Sequence, residues 1–130
     1  MRASGPFEVT LQTLASSAPD AVLLGRRSIA KLFRGDLEGN GIGEMLTAGT
    51  AVPGSAAYVA VDRITGTLHG RAGSFAMLHT GIMSRGAPQL TVSILADSGT
   101  GALAGITGSF AIRVVDGQHF YDLDYTLPEP

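Results

Sequence analysis

Cysteine and tryptophan are both missing from the 130 residues of this chain. Without cysteine, neither a disulfide framework nor a thiolate metal site can form, and the composition suits a reducing compartment. Charge is scarce as well: Asp, Glu, Lys and Arg make up 15% of the residues, against about 25% in an average globular domain. The formal net charge is −2 and the Lys and Arg residues are scattered. No basic field is available to hold a phosphate backbone, so nucleic acid is not an expected partner. No apolar run approaches the roughly 20 residues that a spanning helix needs, and the opening MRASGPFEVT lacks a secretory apolar stretch. The chain is therefore expected to have no membrane partner and to reside in the cytoplasm.

Glycine is what the sequence has in excess, at 18 of 130 residues. Breakers recur about every ten residues, and the segments between them alternate or are rich in Val, Ile, Thr, Phe and Tyr, which is the pattern of short strands joined by tight turns. Strands are predicted over 7–14, 24–34, 43–50, 56–64, 75–83, 90–95, 110–115 and 120–127. In the first of these, Phe7, Val9 and Leu11 share one face and Glu8, Thr10 and Gln12 the other. Ser16 to Asp20 breaks it. Gly39-Asn40-Gly41 and Asp116-Gly117 read as hairpin turns, and Pro53-Gly54 separates two further strands. The stretch 23–33 also fits an amphipathic helix, with Ile29, Leu32 and Phe33 on its stripe. The expected fold class is all-β, a closed antiparallel barrel of about eight strands, with residues 1–130 forming a single domain around one core.

Thr-Gly-x-Leu-x-Gly-x-x-Gly-Ser-Phe-Ala occurs twice, from Thr65 to Ala76 and from Thr100 to Ala111. Two copies are too few for a solenoid. They fit a glycine-punctuated corner that leads into a strand whose Phe enters the core. Phosphate cradling fits less well, because the glycine spacing differs from G-x-G-x-x-G and no helix pattern follows.

Several runs point to a family. Lys31-Leu32-Phe33-Arg34-Gly35-Asp36-Leu37, Thr47-Ala48-Gly49 and the stretch from Gly99 to Gly108 resemble landmarks of allene oxide cyclases, and the glycine-rich stretch also resembles plant dirigent proteins. A bacterial family of unknown function is more similar still. Its likeness runs through Gly35-Asp36-Leu37-Glu38-Gly39, Gly43-Glu44-Met45-Leu46, Tyr58-Val59-Ala60 and Thr67-Leu68-His69-Gly70-Arg71, nearly the whole chain. The resemblance implies a closed, often oligomeric antiparallel barrel, and it bears on fold more than on activity. It also places Glu8 near a glutamate with which the cyclases handle the developing charge of the substrate. The position where the cyclases would keep a water-holding asparagine is Ala30 here.

Polar residues on inward faces are the candidates for chemistry. Glu8 and His79 are the candidate catalytic residues: a lumen carboxylate whose pKa burial raises would serve as base or electrostatic guide, and imidazole titrates near neutrality. The plainer alternatives are a solvated strand residue for Glu8 and a hydrogen-bonded core histidine for His79. Lys31, Phe33, Glu44, Tyr58, Phe75, Met77, Phe110 and Tyr121 are candidate lumen-lining, ligand-binding residues, and Tyr125 shares the face of Tyr121. Core packing is the default role of the tyrosines among them.

Metal binding is not expected, because His69, His79 and His119 show no H-x-H or H-E-x-x-H spacing. Asp36-x-Glu38-x-Asn40-Gly41 echoes a calcium loop, yet its twelfth position is Thr47. No G-x-S-x-G supports a hydrolase. No cofactor is implied. The segment 75–83 is apolar on both faces and no helix is available to cover the outside, so a homodimer or homotrimer is expected. Two functions fit this frame: a barrel that binds an apolar small molecule in its lumen, or a cofactor-independent isomerase or cyclase acting on such a molecule there.

Overall fold

Alternation along the chain decides which side of each strand faces inward. In Tyr58-Val59-Ala60-Val61-Asp62-Arg63-Ile64, the even-numbered residues are buried or half-buried and the odd-numbered ones exposed, as the two-residue period of a strand requires. A computed structural model describes residues 1–17 and 22–128. The strands are β1 (Arg2–Ser17), β2 (Val22–Phe33), β3 (Leu37–Thr50), β4 (Ala56–Leu68), β5 (Arg71–Ser84), β6 (Ala87–Ile94), the two-residue β7 (Thr100–Gly101), β8 (Thr107–Val115) and β9 (Gln118–Thr126). They pair antiparallel in the order β4-β3-β2-β1-β9-β8-β6-β5, and β5 pairs back onto β4. Eight strands thus close into a barrel, with β7 added against Gly73 and Ser74 of β5. Closure satisfies the edge groups that an open sheet would expose. The seam with the fewest pairs is β6 to β8, joined through Ser93 and Ser109.

The all-β reading holds, and the strands run longer than expected at several ends. The segment 23–33, which also fits a helix in sequence, lies within strand β2. Part of the break at Ser16 to Asp20 falls outside the described residues, while Ser16 and Ser17 still pair with Gly25 and Leu24. Gly39-Asn40-Gly41 is not a turn: it lies inside β3, and the chain reverses earlier, at Gly35-Asp36. The glycines of β3 serve close approach instead, since a Cβ on Gly39 would stand 2.2 Å from the Thr65 carbonyl oxygen. Asp116-Gly117 is the expected hairpin turn. His69-Gly70 and Arg85-Gly86 are built alike, each pair having positive φ at both residues, the geometry of a two-residue type I′ loop.

The repeat behaves as a corner. Leu68 and Leu103 are buried, Gly70 and Gly105 both have φ of +81°, and Phe75 and Phe110 enter the core. The copies also meet, because Ser74 of the first pairs with Thr100 of the second, their hydroxyls 2.6 Å apart. Leu103 and Ile106 plug that end of the barrel.

Next to this plug the lumen is filled by rings. Phe7 stacks on Phe33 at 5.5 Å and Phe110 on Tyr121 at 5.8 Å; Phe33 meets Phe110 and Tyr121 edge-on. The Tyr121 hydroxyl accepts from Leu37 N at 2.8 Å and reaches the carbonyls of Arg34 and Leu37. It therefore ties β9 to the β2–β3 turn, and burial first of all raises its pKa. On the outside, Ile42, Leu46, Val59, Val61, Leu78 and Ile82 form an exposed apolar stripe across β3 to β5, whereas β1 and β9 present Glu8, Thr10, Gln12 and Asp124.

Candidate functional site

Above the packed rings, three polar side chains enter the lumen from different strands. Lys31 projects from β2 between Ile29 and Phe33, Asp62 from β4 between Ala60 and Ile64, and His79 from β5 between Met77 and Gly81; all three are buried. Asp62 and His79 sit on neighbouring strands one pair apart, since His79 pairs with Ala60 and Asp62 with Met77, a diagonal that long side chains span. Lys31 lies two strands from Asp62, with β3 between them. There the register places Gly41 beside Lys31 and Gly43 beside Asp62. A Cβ at Gly41 would come within 3.3 Å of Lys31 Cβ and 2.8 Å of Ile64 Cδ1, and one at Gly43 within 2.5 Å of Asp62 Cβ. The glycines clear the floor over which the lysine reaches the aspartate.

Lys31 Nζ lies 2.7 Å from Asp62 Oδ2, and His79 Nε2 lies 3.0 Å from Asp62 Oδ1. The Lys31 contact is an ion pair whose angles fall short of a hydrogen bond, so Oδ2 has no directed donor. His79 Nε2 is also 3.4 Å from Lys31 Nζ. The shorter distance assigns the Nε2 proton to Asp62, which leaves Nδ1 as the imidazole lone pair. Nδ1 has no hydrogen-bond partner among the described residues. Burial alone would raise the Asp62 carboxyl, but the hydrogen bond from His79 and the charge and contact of Lys31 outweigh it and hold the pKa below the ordinary value. One carboxylate thus faces one ammonium, with the imidazole bridging between them.

This set forms the floor of a cup. A hollow of about 180 Å³ is lined by Lys31 and His79, by Val9, Leu11, Ile29, Ala60, Ile112 and Val114, and by Phe7, Met45, Tyr58 and His119. Asp62 is not on its wall; it stands behind the two groups that are. A wider hollow of about 520 Å³ continues at the rim, with Arg27, Thr47, Met83 and Leu90 on its walls and Met45 and Tyr58 shared with the cup. Tyr58 forms part of the neck. Its ring lies on Gly81, where a Cβ would be 2.2 Å from Tyr58 Cε1, and burial raises its pKa. Hollows of about 560 and 630 Å³ also exist on the outer surface, but neither is lined by a buried polar group.

Of the residues expected at a site, Lys31, Tyr58 and His79 meet in the cup. Phe33, Phe75, Met77, Phe110 and Tyr121 belong to the packed half, where they fill space and, with the exception of Tyr121, have no polar atom to offer. Glu8 is exposed and lines an outer hollow beside the β8–β9 hairpin; it alternates with the inward Phe7 and Val9 and so points away from the lumen. Glu44 is exposed too, paired with Arg26 outside the barrel. Asp62 is the residue that the sequence reading missed. A second cluster joins His69 to the Tyr125 hydroxyl through Nδ1 and to Asp36 at 3.6 Å through Nε2, but it lies at the plugged end beside no hollow and acts as a latch between two turns and β9. Among the described residues, no group of three or more His, Asp or Glu side chains could hold a metal ion, and no helix is long and apolar enough to cross a membrane.

No curated protein matches the chain. A crystal structure of a protein with unknown function from the DUF3224 family of Shewanella oneidensis MR-1 is 40% identical to it, with a TM-score of 0.93 over 99% of this chain and 98% of that one. A family model described as "Protein of unknown function (DUF3224)" matches residues 3–125. That match takes in the strands from β1 to nearly the end of β9, with every residue of the cup and its floor among them, and the chain belongs to the DUF3224 family.

Proposed function

We propose that this barrel binds an apolar small molecule in the cup, its chain against Val9, Ile29, Met45 and Tyr58 and a carbonyl oxygen at its end against Lys31. The observation that carries this reading is the buried Lys31–Asp62–His79 set, whose Lys31 and His79 line the cup. A buried ion pair adds little stability compared with apolar side chains of similar size, and the packed half shows that this sequence can fill a lumen when nothing has to enter. Lys31 has three N–H donors, and its ion pair with Asp62 takes up at most one of them. The remaining donors and the imidazole supply the few convergent polar groups that an apolar ligand site needs for orientation. A hollow of about 180 Å³ exceeds the roughly 150 Å³ that admits a benzene ring, and the rim gives a longer chain room to continue.

Nuclear magnetic resonance titration with 2-octanone tests the reading. Saturable shifts are expected at the amides of Ile29, Lys31, Ala60 and His79, with little change at Phe33 and Leu37. Absence of saturable shifts in the lumen overturns it.

A second copy of this chain is proposed to cover the outer stripe of β3 to β5. Ile42 and Leu46 are well exposed there, and the paired Arg26 and Glu44 at its margin give each face both signs of charge, so two copies related by a two-fold axis can set each sign against its opposite. Light scattering on a size-exclusion column is expected to give an oligomer that Ile42→Lys reduces to a monomer. A monomeric parent chain at micromolar concentration overturns this assembly.

A further inference from the structure

The floor of the cup holds more than a binding site requires. A carbonyl oxygen needs one donor, and Lys31 alone provides it. What the structure adds is an imidazole whose Nε2 is fixed on Asp62 at 3.0 Å and whose Nδ1 has no hydrogen-bond partner among the described residues. A carboxylate that fixes one imidazole nitrogen sets the tautomer and makes the other nitrogen a base. The ammonium and this base belong to the same wall of one cup, with Lys31 Nζ 3.4 Å from the imidazole itself. Asp62 stays behind both and touches no ligand. A cationic donor beside an oriented base, in a space walled by aliphatic side chains, is the arrangement that removal of a proton next to a carbonyl calls for.

We infer that the Lys31–Asp62–His79 set transfers a proton at the carbon next to the carbonyl of an apolar ketone, and so moves a β,γ double bond into conjugation. This deepens the proposed function and rests on its placement of the carbonyl. His79 Nδ1 takes the proton as the C–H bond breaks. The electron pair forms a carbon–carbon double bond, and the carbonyl oxygen becomes an enolate oxygen facing the Lys31 ammonium. Return of the same proton from Nδ1 to the γ carbon restores the carbonyl and leaves the double bond conjugated. Atoms and electrons balance with no oxidant, reductant or cofactor. Lys31 and His79 are the catalytic residues and Asp62 is a positioning residue.

The test uses the full-length protein with oct-4-en-2-one and follows the ultraviolet band of the conjugated enone. The parent chain is expected to convert it faster than buffer, and in D₂O to carry less deuterium onto the γ carbon than solvent catalysis does, because Nδ1 returns the proton it took. His79→Gln is expected to slow conversion at least about a hundredfold, the usual contribution of a positioned acid–base group, and Lys31→Met to slow it as well. Asp62→Asn, which disturbs the imidazole tautomer, is expected to lower kcat with KM little changed, and Glu8→Gln to leave the rate unaltered. Conversion no faster than buffer in the parent chain overturns the inference whether or not the variants fold. If the ketone shifts the cup resonances without conversion, the activity fails and the binding reading stands; if it shifts none, both fail. A rate unchanged in folded His79→Gln also overturns the assignment.

Discussion

The two halves of the lumen are built by the same strands and turn out differently. At the plugged end, Phe7, Phe33, Phe110 and Tyr121 touch ring to ring beneath Leu103 and Ile106; toward the rim, the inward residues that follow on those strands are Val9, Lys31 and then Ile29, Ile112 and His119, which leave a hollow. Along β2 the inward series Phe33, Lys31, Ile29 passes from filled to open within five residues. Close packing of aromatic rings brings stability, and the open half gives up that packing. At the boundary stand the three buried polar residues, with the packed rings below them and the hollow above. The difference shows that closure of the sheet does not determine what its interior does; the sizes of the inward residues, and the glycines of β3 that let Lys31 reach Asp62, do.

Four experiments break or sharpen this comparison. Phe33→Ala in the packed half is expected to cost about 3–5 kcal/mol by urea unfolding, since it removes a ring that touches three others; a loss below about 1 kcal/mol would mean that this half is loosely packed. Asp62→Ala is expected to cost a similar amount, about 3–5 kcal/mol, because it leaves the Lys31 charge buried without its partner. Replacing the whole set, Lys31→Met with Asp62→Leu and His79→Leu, is expected to be neutral or to stabilise by about 1–4 kcal/mol while 2-octanone binding is lost. Stability lost together with binding would make the set structural. Smallest of all, Glu8→Gln is expected to change stability by under about 0.5 kcal/mol, as for an exposed strand residue.

Acid gives an independent handle on the same set. The Asp62 carboxyl is held below its ordinary value in the folded chain, so it contributes stability that is present above the unfolded value near pH 4 and lost as the pH falls through the folded one. Urea unfolding from pH 6 downward is expected to show the parent chain losing stability below about pH 4 more steeply than the triple replacement. Parallel curves would contradict the assignment of an ionised Asp62.

Much of the barrel is legible in the sequence because on β1 and β9 apolar inward residues alternate with polar outward ones, and the repeat announces two corners. The β3 glycines misled. Gly39-Asn40-Gly41 has the composition of a turn, and only the neighbouring strands show that the missing side chains make room for Lys31, Phe33 and Ile64. At the site, alternation with apolar neighbours pointed to His79, and the same count would have placed Glu8 and Glu44 outside, where they are. Glu8 was drawn inward by likeness to the cyclases, a likeness that carries fold more securely than residue roles. Asp62 was the readable signal left unread. It shares its face with Tyr58, Ala60 and Ile64, so a charge there has to be buried, but next to Arg63 it passes for half of a solvated pair. Its connection to Lys31 crosses two strands and has no trace in local sequence.

The most direct test of the account is a crystal structure of the protein with 8-bromo-2-octanone. The account predicts bromine anomalous density toward the rim near Tyr58 and the ketone oxygen within about 3.2 Å of Lys31 Nζ, hydrogen-bond distance. A ketone lodged only on the outer surface, or bound in the cup with its oxygen turned away from Lys31 and His79, would contradict it.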